Sequence, residues 1–407
     1  MDIILYAVPG FFLLIAIELI AEKVRGTNYY RVNDAVTSLT TGVLSELMKV
    51  VLLLIPFTIY VVVHENFALF TLPDTALVWV IAFVLYDLSY YWKHRFGHEM
   101  NLMWAAHVVH HSSEEYNLST ALRQTSGGTI GFLFYLPMAL LGFEPLMVAT
   151  VGALNLIYQY WVHTQHIGKL GWYENFFVTP SNHRVHHAQN GVYIDRNYGG
   201  VFILWDRWFG SFQEELEEDP PIFGIRGAVK SWNPIWVNLQ VYNQLLQDCI
   251  HTNNWWHKLT IWFRRTGWRP PDVIERYPLV KTDLDNFHKF DPVLTRSGKV
   301  AATIGYVLNS GVALTMLLNL QQLVVGQQLA VIAYLLLSTY SVGALMEGKA
   351  SAVLFECVKN LVFIVAIWWL TPLNAFTISA MTLSALSVVV LSVRSNRSEP
   401  AKTTVKP

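Results

Sequence analysis

Long apolar runs alternate with short polar stretches along most of this chain. Clear runs fall near Ile3–Ile20, Leu44–Val63, Ala76–Tyr91, Val300–Leu318, Leu323–Tyr340, Ala352–Leu370 and Leu373–Val393. Each approaches the roughly 17–25 mostly apolar residues that a membrane-crossing helix needs. A weaker pair, Ile130–Leu141 and Pro145–Val162, is split by Gly142, Phe143 and Glu144 and reads as a hairpin whose full crossing the pattern leaves open. The first run has no basic lead-in and no small-residue cleavage site, so it reads as an anchor and not as a signal peptide. The pattern predicts an all-α, polytopic integral membrane helical bundle.

Charge then orients it. Lys23, Arg25 and Arg31 follow the first run, Lys93 and Arg95 the third, and Arg394 and Arg397 the last, whereas loops 64–74 and 319–322 contain no Lys or Arg. Basic loops stay on the cytoplasmic side. Nine crossings, with the N-terminus outside and the C-terminus in the cytoplasm, satisfy these constraints. The organisation expected is a membrane core at 1–212, a cytoplasmic or interfacial connecting segment at 213–299, a four-helix membrane unit at 300–393 and a disordered polar tail at 394–407. Only 14% of residues are charged, against roughly 25% in an average soluble domain. The net charge of −1 argues against a nucleic-acid partner, which favours a basic face. Cys249 and Cys357 lie far apart and give no disulfide framework.

Histidine changes the picture. Ten of the fourteen fall between His94 and His187. HRFGH holds His94 and His98, HVVHH holds His107, His110 and His111, HTQH holds His163 and His166, and HRVHH holds His183, His186 and His187. Residues three and four apart share one helical face, so each cluster can aim two or three imidazoles at one point. One zinc or iron ion takes about three or four protein ligands. Nine or ten clustered histidines are therefore too many for one ion and suit two, and a pair of irons would suit dioxygen. Every cluster lies on the cytoplasmic side of the expected topology. His64, His251, His257 and His288 stand outside the pattern and read as ordinary surface or interfacial residues. The zinc-protease pattern H-E-x-x-H is absent, as are a phosphate-binding Gly loop and a G-x-S-x-G elbow. A membrane setting favours a lipid substrate and chemistry at a C–H bond, for which iron and dioxygen are suited. A metal transporter would scatter such histidines along several helices, and a structural zinc scaffold would leave the repeated boxes unexplained.

The boxes H-x-x-x-H, H-x-x-H-H and H-x-x-H-H, with HHSSEEYNLSTALRQ and YIDRNYGGVFILWDRWFG around them, resemble the fatty acid hydroxylase and sterol desaturase superfamily of membrane di-iron enzymes. Within it, they resemble the glyceryl-ether cleaving branch. That resemblance implies two iron ions bound by His94, His98, His107, His110, His111, His163, His183, His186 and His187, with dioxygen as co-substrate. It implies hydroxylation of the carbon beside the ether oxygen of an alkylglycerol, followed by collapse to a fatty aldehyde and a glycerol derivative. Tetrahydrobiopterin is the reductant implied for that branch. A sterol or fatty-acyl hydroxylase or desaturase with an external haem-type donor is the alternative from elsewhere in the superfamily. No fused donor domain is visible, so the reductant is external either way. Glu99 and Asp87 are the candidate catalytic carboxylates. Glu99 matches a carboxylate that the family links to the pterin, and otherwise reads as an acceptor for a ligand histidine. Asp87, costly in lipid, is expected to face inward and to support the ligands. His166 stands where the family does not always place histidine, and Asn182 where relatives carry a further one. The expected location is a bacterial inner membrane or the endoplasmic reticulum.

Overall fold

In a computed structural model of the chain, residues 2–52, 54–292, 294–319, 322–370 and 375–395 are described. They form helices, short 3-10 turns and connecting loops. Two isolated β-bridges, Phe177 with Phe202 and Ala188 with Phe223, are the extended pairings among them. In chain order the helices are α1 (Asp2–Arg25), α2 (Val32–Leu52), α3 (Leu54–Phe67), α4 (Ala76–Glu99), α5 (Asn101–His111), α6 (Leu118–Ala121), α7 (Leu136–Leu140), α8 (Pro145–Trp161), α9 (Pro180–His187), α10 (Leu204–Phe209), α11 (Pro234–His251), α12 (Trp255–Thr260), α13 (Pro271–Arg276), α14 (Arg296–Leu318), α15 (Val325–Met346), α16 (Ala350–Leu370) and α17 (Ala375–Ser395). The chain divides into two compact units, Met1–Lys230 with Trp236–Phe290, and Ser231–Ile235 with Asp291–Pro407. The polar tail lies, from residue 396, outside the described residues.

The apolar runs become helices, but not all become long ones. By length and composition, two described helices, Arg296–Leu318 and Val325–Met346, can cross a membrane, or three if the bent pair Val32–Lys49 and Leu54–Phe67 is one span. The run Leu44–Val63 therefore straddles a break, with a bend of 50° between its two helices. The run Ile130–Leu141 is a 3-10 turn, Thr129–Tyr135, leading into the five-residue α7. That is short of a crossing, because the chain reverses at Gly142. Gly142 has φ +90°, and a Cβ there would lie 1.9 Å from the Phe70 carbonyl oxygen, so only glycine fits the approach. Tyr60, Ala82, Met138, Ala139, Phe143, Met147, Val148 and Val151 close the core where α3, α4, α7 and α8 meet.

Polar signals fix where the site-bearing helices begin. Thr75 caps α4 and accepts from the Val78 amide, and α4 then runs unbroken past His94 and His98 to Glu99. Pro145, at the first position of α8, has a fixed φ suited to a helix start. In the second unit, α14 to α17 bury a paired charge. Glu356 accepts from Ser341 Oγ (2.5 Å), Lys359 Nζ (2.9 Å) and Asn360 Nδ2 (3.0 Å).

Candidate metal centre

Helix α9 shows how local chemistry sets the site. The sequence TPSNHRVHH is too polar to fold as a helix on hydrophobicity alone. It begins with a capping box, in which Thr179 Oγ1 accepts from the Asn182 amide and Asn182 Oδ1 accepts from the Thr179 amide. Pro180 takes the first helical position. Asn182 thus starts the helix that presents His183, His186 and His187. Helix α5 presents His107, His110 and His111, the last turn of α4 presents His94 and His98, and His163 follows α8.

These nine histidines meet in two groups. His94, His98, His107, His111 and His186 form one; His110, His163, His183 and His187 form the other. Within each group, one ring nitrogen per residue lies within 4.8 Å of all the others. His94, His98, His111, His163, His183, His186 and His187 are buried, and His107 and His110 keep part of their surface. In the first group His107 Nε2 lies 2.8 Å from His94 Nε2 and 3.2 Å from His111 Nε2. In the second, His163 Nε2 lies 3.2 Å from His110 Nε2 and 3.1 Å from His183 Nε2, and His183 Nε2 lies 3.2 Å from His187 Nε2.

The opposite ring nitrogens explain why these atoms converge. His94 Nδ1 contacts the Tyr198 carbonyl at 2.7 Å, His110 Nδ1 that of Arg123 at 3.0 Å, His163 Nδ1 that of Gln159 at 2.8 Å and His186 Nδ1 that of Arg196 at 2.9 Å. A carbonyl only accepts, so each Nδ1 carries the proton and each Nε2 turns a lone pair inward. Inward lone pairs about 3 Å apart repel unless a cation lies among them. Two imidazoles at right angles on an ion, with bonds of about 2.1 Å, would be about 3.0 Å apart. His98 Nε2 and His186 Nε2 are buried and without a hydrogen-bond partner, which also fits a metal. The donor set, all imidazole nitrogen, suits iron, zinc or copper.

Burial holds these rings neutral. It pushes His110 down to about 4 and His186 down to about 3, and holds His107, His111, His183 and His187 well below the ordinary range. An unfolded chain protonates its histidines near pH 6.5, while the folded metal-free chain does not. At these histidines the unfolded state then binds more protons, so their contribution to stability falls with pH from about 6.5 down towards about 4, opposed in part by buried carboxyls such as Asp206, which burial pushes up to about 6. Metal-stripped protein in detergent should therefore show a melting temperature that declines steadily from pH 7 to pH 4.5. A flat profile would mean that the rings are not held neutral.

The remaining candidates lie around the groups and not in them. His166 belongs to neither; its ring packs against Tyr29 at 5.0 Å. Glu99, half-buried at the end of α4, accepts from Arg95 Nε at 3.0 Å and Tyr198 OH at 3.5 Å, and no imidazole is among its partners. Asp87 is fully buried. Its Oδ1 accepts from Asn155 Nδ2 (2.6 Å) and the Val201 amide (2.9 Å), and its Oδ2 from the Phe202 amide (2.9 Å) and Trp205 Nε1 (2.8 Å). With four donors on it, Asp87 ties α4 to α8 and to the loop carrying the Tyr198 carbonyl. Asp206 completes that loop and was not singled out from the sequence. It accepts from the amides of Tyr198 and Gly199, each at 2.7 Å, and from Ser211 Oγ at 2.7 Å. An acid placed among aromatics in LWDRWFG was the available signal.

Comparison with known proteins agrees with this geometry. Residues 79–211 match the fatty acid hydroxylase family. The chain is 34% identical to alkylglycerol monooxygenase of Homo sapiens over 370 residues, 89% of this chain and 82% of that protein. It is 34% identical to the alkylglycerol monooxygenases of Xenopus tropicalis (89% of this chain, 81% of that protein) and Danio rerio (87% and 79%). No solved structure matches the chain.

Proposed function

Because the chain belongs to the fatty acid hydroxylase and sterol desaturase superfamily, alongside the alkylglycerol monooxygenases, we propose that it is a membrane di-iron monooxygenase acting on the ether-linked alkyl chain of a glycerolipid. The observation that carries this reading is the convergence of nine inward-facing, neutral imidazoles into two groups. His94, His98, His107, His111 and His186 would hold one iron, and His110, His163, His183 and His187 the other. Bound there, the pair would supply dioxygen activation.

The chemistry balances with an external two-electron donor. One oxygen atom of dioxygen enters the C–H bond beside the ether oxygen; the other leaves as water, with two electrons and two protons supplied from outside. The product is a hemiacetal, which splits into a fatty aldehyde and a free glycerol hydroxyl without further redox change. Tetrahydrobiopterin is the donor proposed, with Glu99 at the rim of the first group as its contact. The buried rings keep water from the reacting carbon. An apolar groove of about 280 Å³ between α4 and α8, lined by Trp79, Phe83, Val151, Leu154 and Phe202 among others, offers an alkyl chain a bed. We place the histidine boxes on the cytoplasmic side, where Lys93 and Arg95 anchor the end of α4.

Iron-loaded protein in detergent, given an alkylglycerol, dioxygen and tetrahydrobiopterin, should release fatty aldehyde in step with pterin oxidation. Glu99→Gln should raise the pterin concentration needed for half-maximal rate while leaving that for the lipid nearly unchanged. Turnover of a sterol or free fatty acid with a haem-type donor, and none of the ether lipid, would overturn the substrate assignment.

A further inference from the structure

The two histidine groups draw on partly different outer supports. In the first, His94 and His186 rest on the carbonyls of Tyr198 and Arg196, and Asp87 and Asp206 hold the 196–202 loop. That loop meets the second group only indirectly, through the start of α9, where Asn197 Nδ2 donates to the Asn182 carbonyl at 3.0 Å and the Val178 amide donates to the Val201 carbonyl at 2.8 Å. His163 rests on its own helix, through the Gln159 carbonyl. His110 rests on the carbonyl of Arg123.

Arg123 is unusual in being a guanidinium 1% exposed. Its Nε donates to Ser38 Oγ at 3.1 Å, a terminal nitrogen donates to Ser112 Oγ at 2.8 Å, and the other faces Asp34 Oδ2 at 3.5 Å. Asp34, fully buried on α2, also accepts from Ser113 Oγ at 2.6 Å and from Ser38 Oγ at 3.3 Å. The pair therefore grips the chain at two places: at Ser112 and Ser113, just beyond the α5 histidines, and at residue 123, whose carbonyl meets His110. A buried ion pair adds little net stability compared with apolar residues, yet loosening one partner strands the other. Its effect is to fix geometry, and the ring it holds most directly is His110, in the second group.

We propose that Asp34 and Arg123 are positioning residues chiefly for the second metal ion, through His110, so that the two ions are separable. This rests on the reading of the centre as dinuclear. Loss of an outer partner of a ligand histidine typically weakens metal binding by about 10–100-fold. Asp34→Asn keeps the size of the side chain and removes its charge.

The test is the iron content of the folded, full-length protein in detergent, with Mössbauer spectra of the bound iron after anaerobic loading at limiting metal. The wild-type chain should hold two ions. Asp34→Asn should hold about one, its spectrum matching one component of the wild-type pair, and Arg123→Lys should behave alike. Asp206→Asn should lose the complementary component. An Asp34→Asn protein that keeps both ions at wild-type affinity, or sheds both together, overturns the proposal. A wild-type chain that cannot hold two ions overturns the dinuclear reading itself, and that result is read before any variant is made. Should Asp34→Asn fail to fold, Ser113→Ala removes one donor to Asp34 and should weaken the same component to a smaller extent.

Discussion

His183→Ala should leave a folded, membrane-inserted protein with no measurable turnover. His183 Nε2 stands between His163 and His187, at 3.1 and 3.2 Å, so its removal breaks the second group at its centre. Losing merely an outer partner of a metal ligand already costs about 10–100-fold in metal affinity or activity; losing the ligand should exceed that. His107→Ala, which occupies the same central place in the first group, should be as severe. His166→Ala is the control and should retain most activity, since its ring lies outside both groups. Aldehyde release and bound iron, measured on the same preparations, check this. Full activity in His107→Ala or His183→Ala would remove that residue from the ligand set.

Asp87→Ala should be the most destabilising single change away from the histidines. It strands four buried donors, of Asn155, Val201, Phe202 and Trp205, and each orphaned donor costs about 1–3 kcal/mol. A loss of at least about 3 kcal/mol is expected, visible as a lowered melting temperature in detergent. Because the loop so released carries the Tyr198 carbonyl, iron in the first group should weaken as well. Asp87→Asn retains one good acceptor and should fall between the two. If Asp87 instead took part in the reaction, Asp87→Asn would lose turnover while keeping wild-type melting and iron content, and that outcome would refute a positioning role.

Much of the centre was readable before the fold, because helical spacing is a local property. His107, His110 and His111 on one helix, and His183, His186 and His187 on another, can be aimed together from their offsets alone. The division into two groups was not readable. Neighbours His110 and His111 fall into different groups, as do His186 and His187, since adjacent helical residues point about 100° apart and serve opposite sides. The outer acceptors were hidden for another reason: four of the ring contacts go to backbone carbonyls, which carry no residue identity. Asp87 was legible through its cost in an apolar helix, whereas the part played by Asp34 and Arg123 depends on α2 packing beside residues about eighty positions away. In the membrane half, the sequence marked the break at Gly142–Glu144 but not the one inside Leu44–Val63. The bend between α2 and α3 is a matter of backbone geometry, on which an averaged window is silent.

The distribution of ligands along the chain has a consequence for biogenesis. His94 to His111 supply four nitrogens of the first group but a single one of the second, and both groups need α9, with His186 completing one and His187 the other. At ordinary synthesis rates, α9 emerges about 4–15 s after α5. For that interval the nascent protein displays a partial nitrogen cage whose final geometry does not yet exist to discriminate among metals, when ions high in the Irving–Williams order bind most readily. If the groups bind metal as proposed, correct metallation would depend on which ion is available after residue 187 has emerged, and on how readily an earlier, wrong one can leave.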